Sequence, residues 1–217
     1  MNIEKARFNM IEQQIKPWKV FDKKLLGAMA TIPREQFVPE EHRNLAYADV
    51  AIPLGHNQSM LAPRELARMI QALTLEGQEK VLEIGCGHGY ASAILGKLAK
   101  HVYSVDIISE FVEFSQQKVG ALAVENVTFE EFDATEGWLA HAPYDAILIT
   151  SAMEKLPDVM KKNLSHTGRI AAILGDHLAQ NACLCKLTDN KEWDIEILFP
   201  VAAQPMINAE RANRFIF

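Results

Sequence analysis

The sequence predicts an α/β protein built on a doubly wound, mostly parallel sheet with helical additions at its N-terminus. Three observations carry that expectation. From residue 80 onward, apolar runs of strand length alternate with stretches of helical periodicity. The first run, residues 81–84, ends in a glycine-rich turn, Gly85-Cys86-Gly87-His88-Gly89, that leads into a helix. Finally, Glu83, Asp106, Asp133 and Thr150 all fall at predicted strand ends. That is the edge at which open α/β sheets bind their ligands.

The elements run in order along the chain. Residues 8–15 (FNMIEQQI) place apolar side chains at helical spacing, and Pro17 is expected to stop that helix. A second helix is expected over 22–30 with Asp22 as its N-cap. Residues 32–39 are bracketed by Pro33 and Pro39 and read as irregular. Residues 49–63 set Pro53, Gly55, Asn57 and Pro63 around short apolar pieces, the composition of an ordered loop. A helix resumes over 64–73. Strands are expected at 80–84, 101–106, 127–132, 144–150 and 169–174, with helices at 90–100, 109–122 and 153–164. Residues 193–199 suit one more strand that could return antiparallel, and 202–217 carry no clear pattern. Without repeats, low-complexity tracts or long linkers, the 217 residues are expected to form one domain, with 1–78 as helices and loop and 79–217 as α/β core and C-terminal strand region.

Composition narrows the possibilities. A hydrophobic content of 49% suffices for a full core, and the net charge of −6 weighs against broad contact with nucleic acid. Apolar runs fall short of the roughly 18 residues a membrane span needs. Met1-Asn2-Ile3-Glu4-Lys5 does not resemble a secretory signal. Three cysteines form no disulfide scaffold, and neither Cys183-x-Cys185 nor the histidines show metal-site spacing, so no metal is expected. The expectation is a cytoplasmic protein, a monomer or weak homodimer, without nucleic-acid or membrane partners.

The glycine turn carries the chemistry. Glycines at alternate positions remove the β-carbons that would hold a bulky ligand off the backbone, and the following helix aims unpaired N–H groups at it. The spacing is G-x-G-x-G, whereas nicotinamide enzymes use G-x-G-x-x-G. Glu83 would repel a pyrophosphate but suits a cation. Asp106, twenty-one residues after Gly85, is placed to accept hydrogen bonds from both hydroxyls of a ribose. The pattern points to S-adenosyl-L-methionine, which carries an ammonium and a sulfonium and no phosphate, with S-adenosyl-L-homocysteine as product. A ligand-free structural turn and a dehydrogenase are the weaker readings. Cys86 stands where a small packing side chain suffices.

Over residues 10–175 the chain resembles the protein-L-isoaspartate O-methyltransferase family. The resemblance lies in MIEQQI (10–15), IPREQFVPEEHRNLAYADVAIPLG (32–55), VLEIGCGHGYASAIL (81–95), VYSVDIISEFVEF (102–114) and PYDAILIT (143–150). It implies a Rossmann-like S-adenosylmethionine-dependent O-methyltransferase acting on isoaspartyl carboxylates of damaged proteins or peptides. It further implies that Glu83, Gly85, Gly87 and Gly89 shape the pocket for the cofactor's amino-acid end, that Asp106 holds the ribose and Ile107 packs beside the adenine, and that Asp133 reads the adenine edge. Cys86, Tyr90, Ala134 and Thr150 join them as cofactor-binding candidates. Asp106 and Asp133 could equally cap the elements that come after them.

The loop at 55–63 departs from the family. There the family reads G-x-x-Q-T-I-S-x-P, with the serine hydroxyl near the transferred methyl and the substrate carboxylate; this chain has Leu61 at that serine's position. In an extended segment, Ser59 faces the same way as residue 61, so Ser59 and Leu61 are the catalytic-loop candidates. Ser59 could also serve only its own turn. The ending over 199–217 likewise differs from the family's F-V-P-L close. These departures leave open a methyltransferase with a small-molecule acceptor, and a binding module that retains the cofactor without turning it over.

Overall fold

The computed structural model describes residues 2–176 and 178–209. The chain begins with α1 (Ile3–Asn9), a π-helical stretch (Met10–Ile15) and a 3-10 turn (Lys16–Trp18). The helical path thus starts before the expected 8–15, and Pro17 lies within its last turn instead of stopping it. Pro17 donates no N–H there and costs nothing at a helix start. Next comes α2 (Lys23–Thr31), where Asp22 Oδ1 accepts from Lys24 N (2.8 Å) and Leu25 N (3.1 Å). The segment expected to be an ordered loop instead holds a two-stranded hairpin, β1 (Ile52–Gly55) and β2 (Gln58–Met60). It turns through Gly55, His56 and Asn57 at φ of 94°, 51° and 55°. The turn residues read from the sequence are those of a tight hairpin. Helix α3 (Pro63–Ala72) comes next, with Glu65 accepting from the backbone of Ala62 at its start.

The core alternates as the sequence predicts: β3 (Lys80–Ile84), α4 (Tyr90–Leu98), β4 (His101–Asp106), α5 (Ser109–Gly120), β5 (Val127–Glu131) and β6 (Tyr144–Met153). The expected helix over 153–164 is absent. Strand β6 runs on to Met153, Pro157 interrupts the crossover, and only a 3-10 turn (Asp158–Asn163) precedes β7 (Leu164–Asp176). Strand β8 (Ala179–Leu187) is not legible in the sequence because it is buried on both faces around Ala182, Cys183, Leu184 and Cys185, which erases the polar–apolar alternation. The last strand, β9 (Trp193–Pro200), returns antiparallel, as expected for 193–199.

Among the described residues, seven strands form one sheet in the order β5-β4-β3-β6-β7-β8-β9. Pairs from β5 to β7 are parallel, and β7–β8–β9 are antiparallel. Alternate residues serve opposite layers. Val81, Ala146, Leu148, Ala171 and Ile173 join the helices in one core, while Leu82, Ile84, Ile147, Ile149, Ile170 and Ala172 build the other. Strand order reverses beside β3, where the chain steps from β4 on one side to β6 on the other. A crevice opens outside the carboxyl ends at such a point. Residues 202–209 cross this edge: Ala152 N donates to Gln204 O (2.9 Å) and Met206 N donates to Ala152 O (2.7 Å). Residues 210–217 lie outside the described residues.

The N-cap at Asp22 makes a measurable claim. Asp22→Ala should lower stability by about 1 kcal/mol in denaturant unfolding, and an unchanged midpoint would show that the cap contributes nothing.

Candidate active site

The glycine turn is shaped by what it touches. Gly85, at φ 87°, would meet nothing closer than Thr150 Oγ1 at 3.9 Å if it carried a β-carbon, so its side faces open space. Gly89, at φ 86°, has Ser115 Cβ 2.9 Å from where its β-carbon would stand. Gly89 therefore lets the start of α4 press against α5, and it does not line the cleft. Gly85 and Gly87, expected beside it in the cofactor pocket, do line the cleft.

Hydrogen bonds tie the turn to β4. Gly85 N and Cys86 N both donate to Val105 O (2.8 and 3.2 Å). Asp106 Oδ2 accepts from Gly87 N and its Oδ1 from Ile108 N, each at 3.0 Å. Asp106 thus ties the turn to the segment entering α5, in addition to facing the cleft. Burial pushes its carboxyl above the ordinary range.

Glu83 is fully buried beneath the turn. Its Oε2 accepts from the hydroxyls of Ser92 and Ser104, whereas Oε1 has no partner. Burial pushes its carboxyl up to about 7, Asp106 adds repulsion, and the two serines oppose the shift. A buried carboxylate oxygen without a donor is costly. Because Glu83 lines the cleft, a cationic ligand there would relieve that cost. The Cys86 thiol is pushed well up by burial, which leaves it inert.

The cleft encloses about 910 Å³, open solvent at its mouth included. Its lining holds Ser59, Leu61, Glu83, Gly85, Cys86, Gly87, Tyr90, Asp106, Ile107, Asp133, Ala134 and Thr150. Every candidate read from the sequence except Gly89 is brought to this one space. Asp133 Oδ1 accepts from Thr135 N (3.1 Å) and Oγ1 (2.8 Å), and its Oδ2 accepts from Asn208 Nδ2 (2.9 Å). Thr150 Oγ1 reaches Gly85 O at 3.5 Å, the outer limit of a hydrogen bond.

The hairpin forms the facing wall. Pro53 pairs with Ser59 and Ile52 with Met60. His56 Nε2 lies 2.7 Å from Glu110 Oε2, which ties the hairpin tip to α5. Leu61 is buried, and its carbonyl accepts from Arg34 Nη2 (2.8 Å). Sequence reasoning missed Ser151, His88, Gln204, Met206 and Ile207, which also line the cleft. For the last three no local pattern could have served, because they reach the site only through the bridge to Ala152.

Among the described lining residues are three carboxylates, Glu83, Asp106 and Asp133, and no lysine or arginine. Such a wall repels phosphate and suits a cationic nucleoside. Among the described residues no group of three His, Cys, Asp or Glu could hold a metal ion.

Comparison with known proteins shows which family the chain is similar to. The family model for protein-L-isoaspartate(D-aspartate) O-methyltransferase matches residues 5–211. A protein-L-isoaspartate O-methyltransferase of Rhodopseudomonas palustris is 40% identical over 204 residues, covering 93% of each chain. One from Syntrophobacter fumaroxidans is 37% identical over 184 residues, covering 85% of this chain and 86% of its own. Among solved structures, a Plasmodium falciparum chain described as a putative protein-L-isoaspartate O-methyltransferase, in complex with S-adenosyl-L-homocysteine, superposes with a TM-score of 0.77 over 95% of this chain and 98% of its own, at 15% identity. Another protein-L-isoaspartate O-methyltransferase gives 0.76 at 24% identity, covering 93% of this chain and 65% of that one. These two likenesses are of fold. With full-length relatives at about 40% identity and the family model spanning nearly the whole chain, the protein belongs to the protein-L-isoaspartate(D-aspartate) O-methyltransferase family.

Proposed function

We propose that the protein transfers a methyl group from S-adenosyl-L-methionine to the free α-carboxylate of isoaspartyl residues in proteins and peptides. The observation that carries this reading is the acid-walled cleft with the unpartnered Glu83 Oε1, in a chain of this family. When bound, the cofactor supplies an electrophilic methyl on a cationic sulfur. Glu83 and the turn at Gly85 and Gly87 would hold its ammonium end. Asp106 keeps lone pairs free on both oxygens for the ribose hydroxyls, and Ile107, Asp133 and Ala134 would meet the adenine. Cys86, Tyr90 and Thr150 complete the same walls.

The acceptor needs no general base, because a carboxylate with a pKa near 4 is already ionised at neutral pH. The protein's work is alignment and exclusion of water. Met60, Leu61, Leu66 and Met206 contribute apolar lining to the cleft. Leu61 cannot donate a hydrogen bond from its side chain. Ser59, in β2, lines the same space and carries a hydroxyl. It is our candidate for orienting the acceptor oxygen. No observation favours a small-molecule acceptor or a silent binding module. Among the described residues no helix is long and apolar enough to cross a membrane. Three unpaired cysteines support action in the reducing cytoplasm.

Three measurements test this reading. Labelled S-adenosyl-L-methionine should mark an isoaspartyl peptide and leave its normal aspartyl twin unmarked; equal labelling of both would reject the assignment. Ser59→Ala should cut kcat by about ten- to two-hundred-fold, the worth of one hydrogen bond to a charged group. Affinity for S-adenosyl-L-homocysteine should be unchanged, and full activity in that variant would remove Ser59 from the mechanism.

The third concerns pH. Glu83 in the folded chain holds a proton up to about 7, whereas an unfolded glutamate releases it near 4.5. The folded state therefore binds more protons across that window, and stability of the unliganded protein falls as pH rises through it. The loss is absent below the window and complete above it. Glu83→Gln should flatten this slope in thermal melts of the unliganded protein. Superimposable profiles for the two proteins would show that Glu83 titrates elsewhere.

A further inference from the structure

Arg34 is a fully buried cation without a counter-charge. It sits in the 3-10 turn Arg34–Gln36, and its side chain is completely shielded from solvent. Nε donates to Ala46 O (2.9 Å) and Nη2 to Leu61 O (2.8 Å), while the guanidinium carbon lies 4.8 Å from the centre of the Tyr90 ring. Nη1 has no partner. None of the ion pairs among the described residues includes Arg34. Its neighbour Glu35 is engaged with Arg7 and with the Tyr47 hydroxyl.

An uncompensated buried charge is expensive, and a neutral donor could satisfy two carbonyls at lower cost. The position of the charge suggests what it offers in return. Of the three groups it touches, Leu61 and Tyr90 line the cleft and Ala46 does not. The carboxylates of that cleft belong to Glu83, Asp106 and Asp133, at the strand ends. An acceptor carboxylate entering this space meets a negative potential from the sheet side, and no lysine or arginine among the described lining residues opposes it. Arg34 is held to the residue that follows the hairpin, through the Leu61 carbonyl, in a dry surrounding where its field is weakly screened.

We infer that Arg34 is a positioning residue for the acceptor: it clamps the Leu61 carbonyl and, through that residue, draws the substrate carboxylate to the hairpin side of the cleft. The cleft is thereby divided into an acidic side for the cationic cofactor and a cationic side for the anionic acceptor. This inference rests on the reading of an isoaspartyl acceptor.

The test pairs the charge on the protein with the charge on the ligand. Arg34→Met and Arg34→Lys are compared with the unsubstituted chain, each loaded with S-adenosyl-L-homocysteine. Calorimetry measures binding of an isoaspartyl peptide and of the same peptide with that carboxylate capped as an amide. Arg34→Met should weaken the acid at least ten-fold and the amide less than three-fold. Affinity for S-adenosyl-L-homocysteine should stay within two-fold, and in turnover the peptide KM should rise with little change in kcat. Arg34→Lys, which keeps the charge, should restore acid binding to within about three-fold. If Arg34→Met does not fold, Arg34→Gln, which keeps donor N–H groups without the charge, decides on the same acid-to-amide ratio. Equal weakening of acid and amide, or a lysine variant as impaired as the neutral one, would make Arg34 a scaffold residue and overturn the proposal. Methyl transfer by the unsubstituted chain alongside an unchanged ratio overturns this proposal alone, whereas no transfer to any isoaspartyl peptide overturns both readings.

Discussion

The link between the glycine turn and β4 is the constraint on which the site depends. Two N–H groups of the turn converge on Val105 O, and the Asp106 carboxylate gathers a third from Gly87 together with that of Ile108. These four donors fix the turn against the neighbouring strand and the start of α5. The turn then keeps φ values that only glycine adopts cheaply at 85 and 89, and its open side stays free. Asp106 therefore has a structural duty in addition to the binding one proposed for it. The readings of Asp106 as a cap and as a ribose ligand are compatible, because each carboxylate oxygen retains a lone pair.

The second organising feature is the distribution of charge. Glu83 is forced underground by β3 and steadied by Ser92 and Ser104, with one oxygen left unpartnered beside the cleft. Asp106 and Asp133 extend the same negative edge. An unliganded protein carries the electrostatic cost of that edge, and a cationic nucleoside would relieve it. Binding and stability are thus coupled: the residues that destabilise the empty cleft are those that would favour its ligand.

Much of this arrangement is legible in the sequence, for identifiable reasons. Strand β3, the turn and α4 announce themselves because a buried parallel strand, alternate glycines and an apolar helix each leave a distinct local signature. Convergence of Glu83, Asp106, Asp133 and Thr150 is implied by the strand–helix alternation alone, since parallel strands carry their C-terminal ends to one edge. The misses also have physical causes. Residues 153–164 contain enough apolar side chains to imitate a helix, but Ala152 and Met153 stay in the sheet by pairing with Ile173 and Leu174, and Pro157 breaks the crossover beyond them. Strand β8 loses its alternation by burial on both faces. Spacing alone points Gly89 at the pocket, although its role is to accommodate Ser115. Residues 204–207 and the buried Arg34 act through contacts distant in sequence, which no local pattern records.

A phosphate-free, cationic nucleoside in the acidic cleft is the central claim. Isothermal titration calorimetry of the purified chain with S-adenosyl-L-methionine, and in parallel with a nicotinamide dinucleotide, addresses it most directly. A saturable one-to-one heat from the sulfonium compound and none from the dinucleotide is the predicted result. No heat from the sulfonium compound, or equal binding of both, would contradict it.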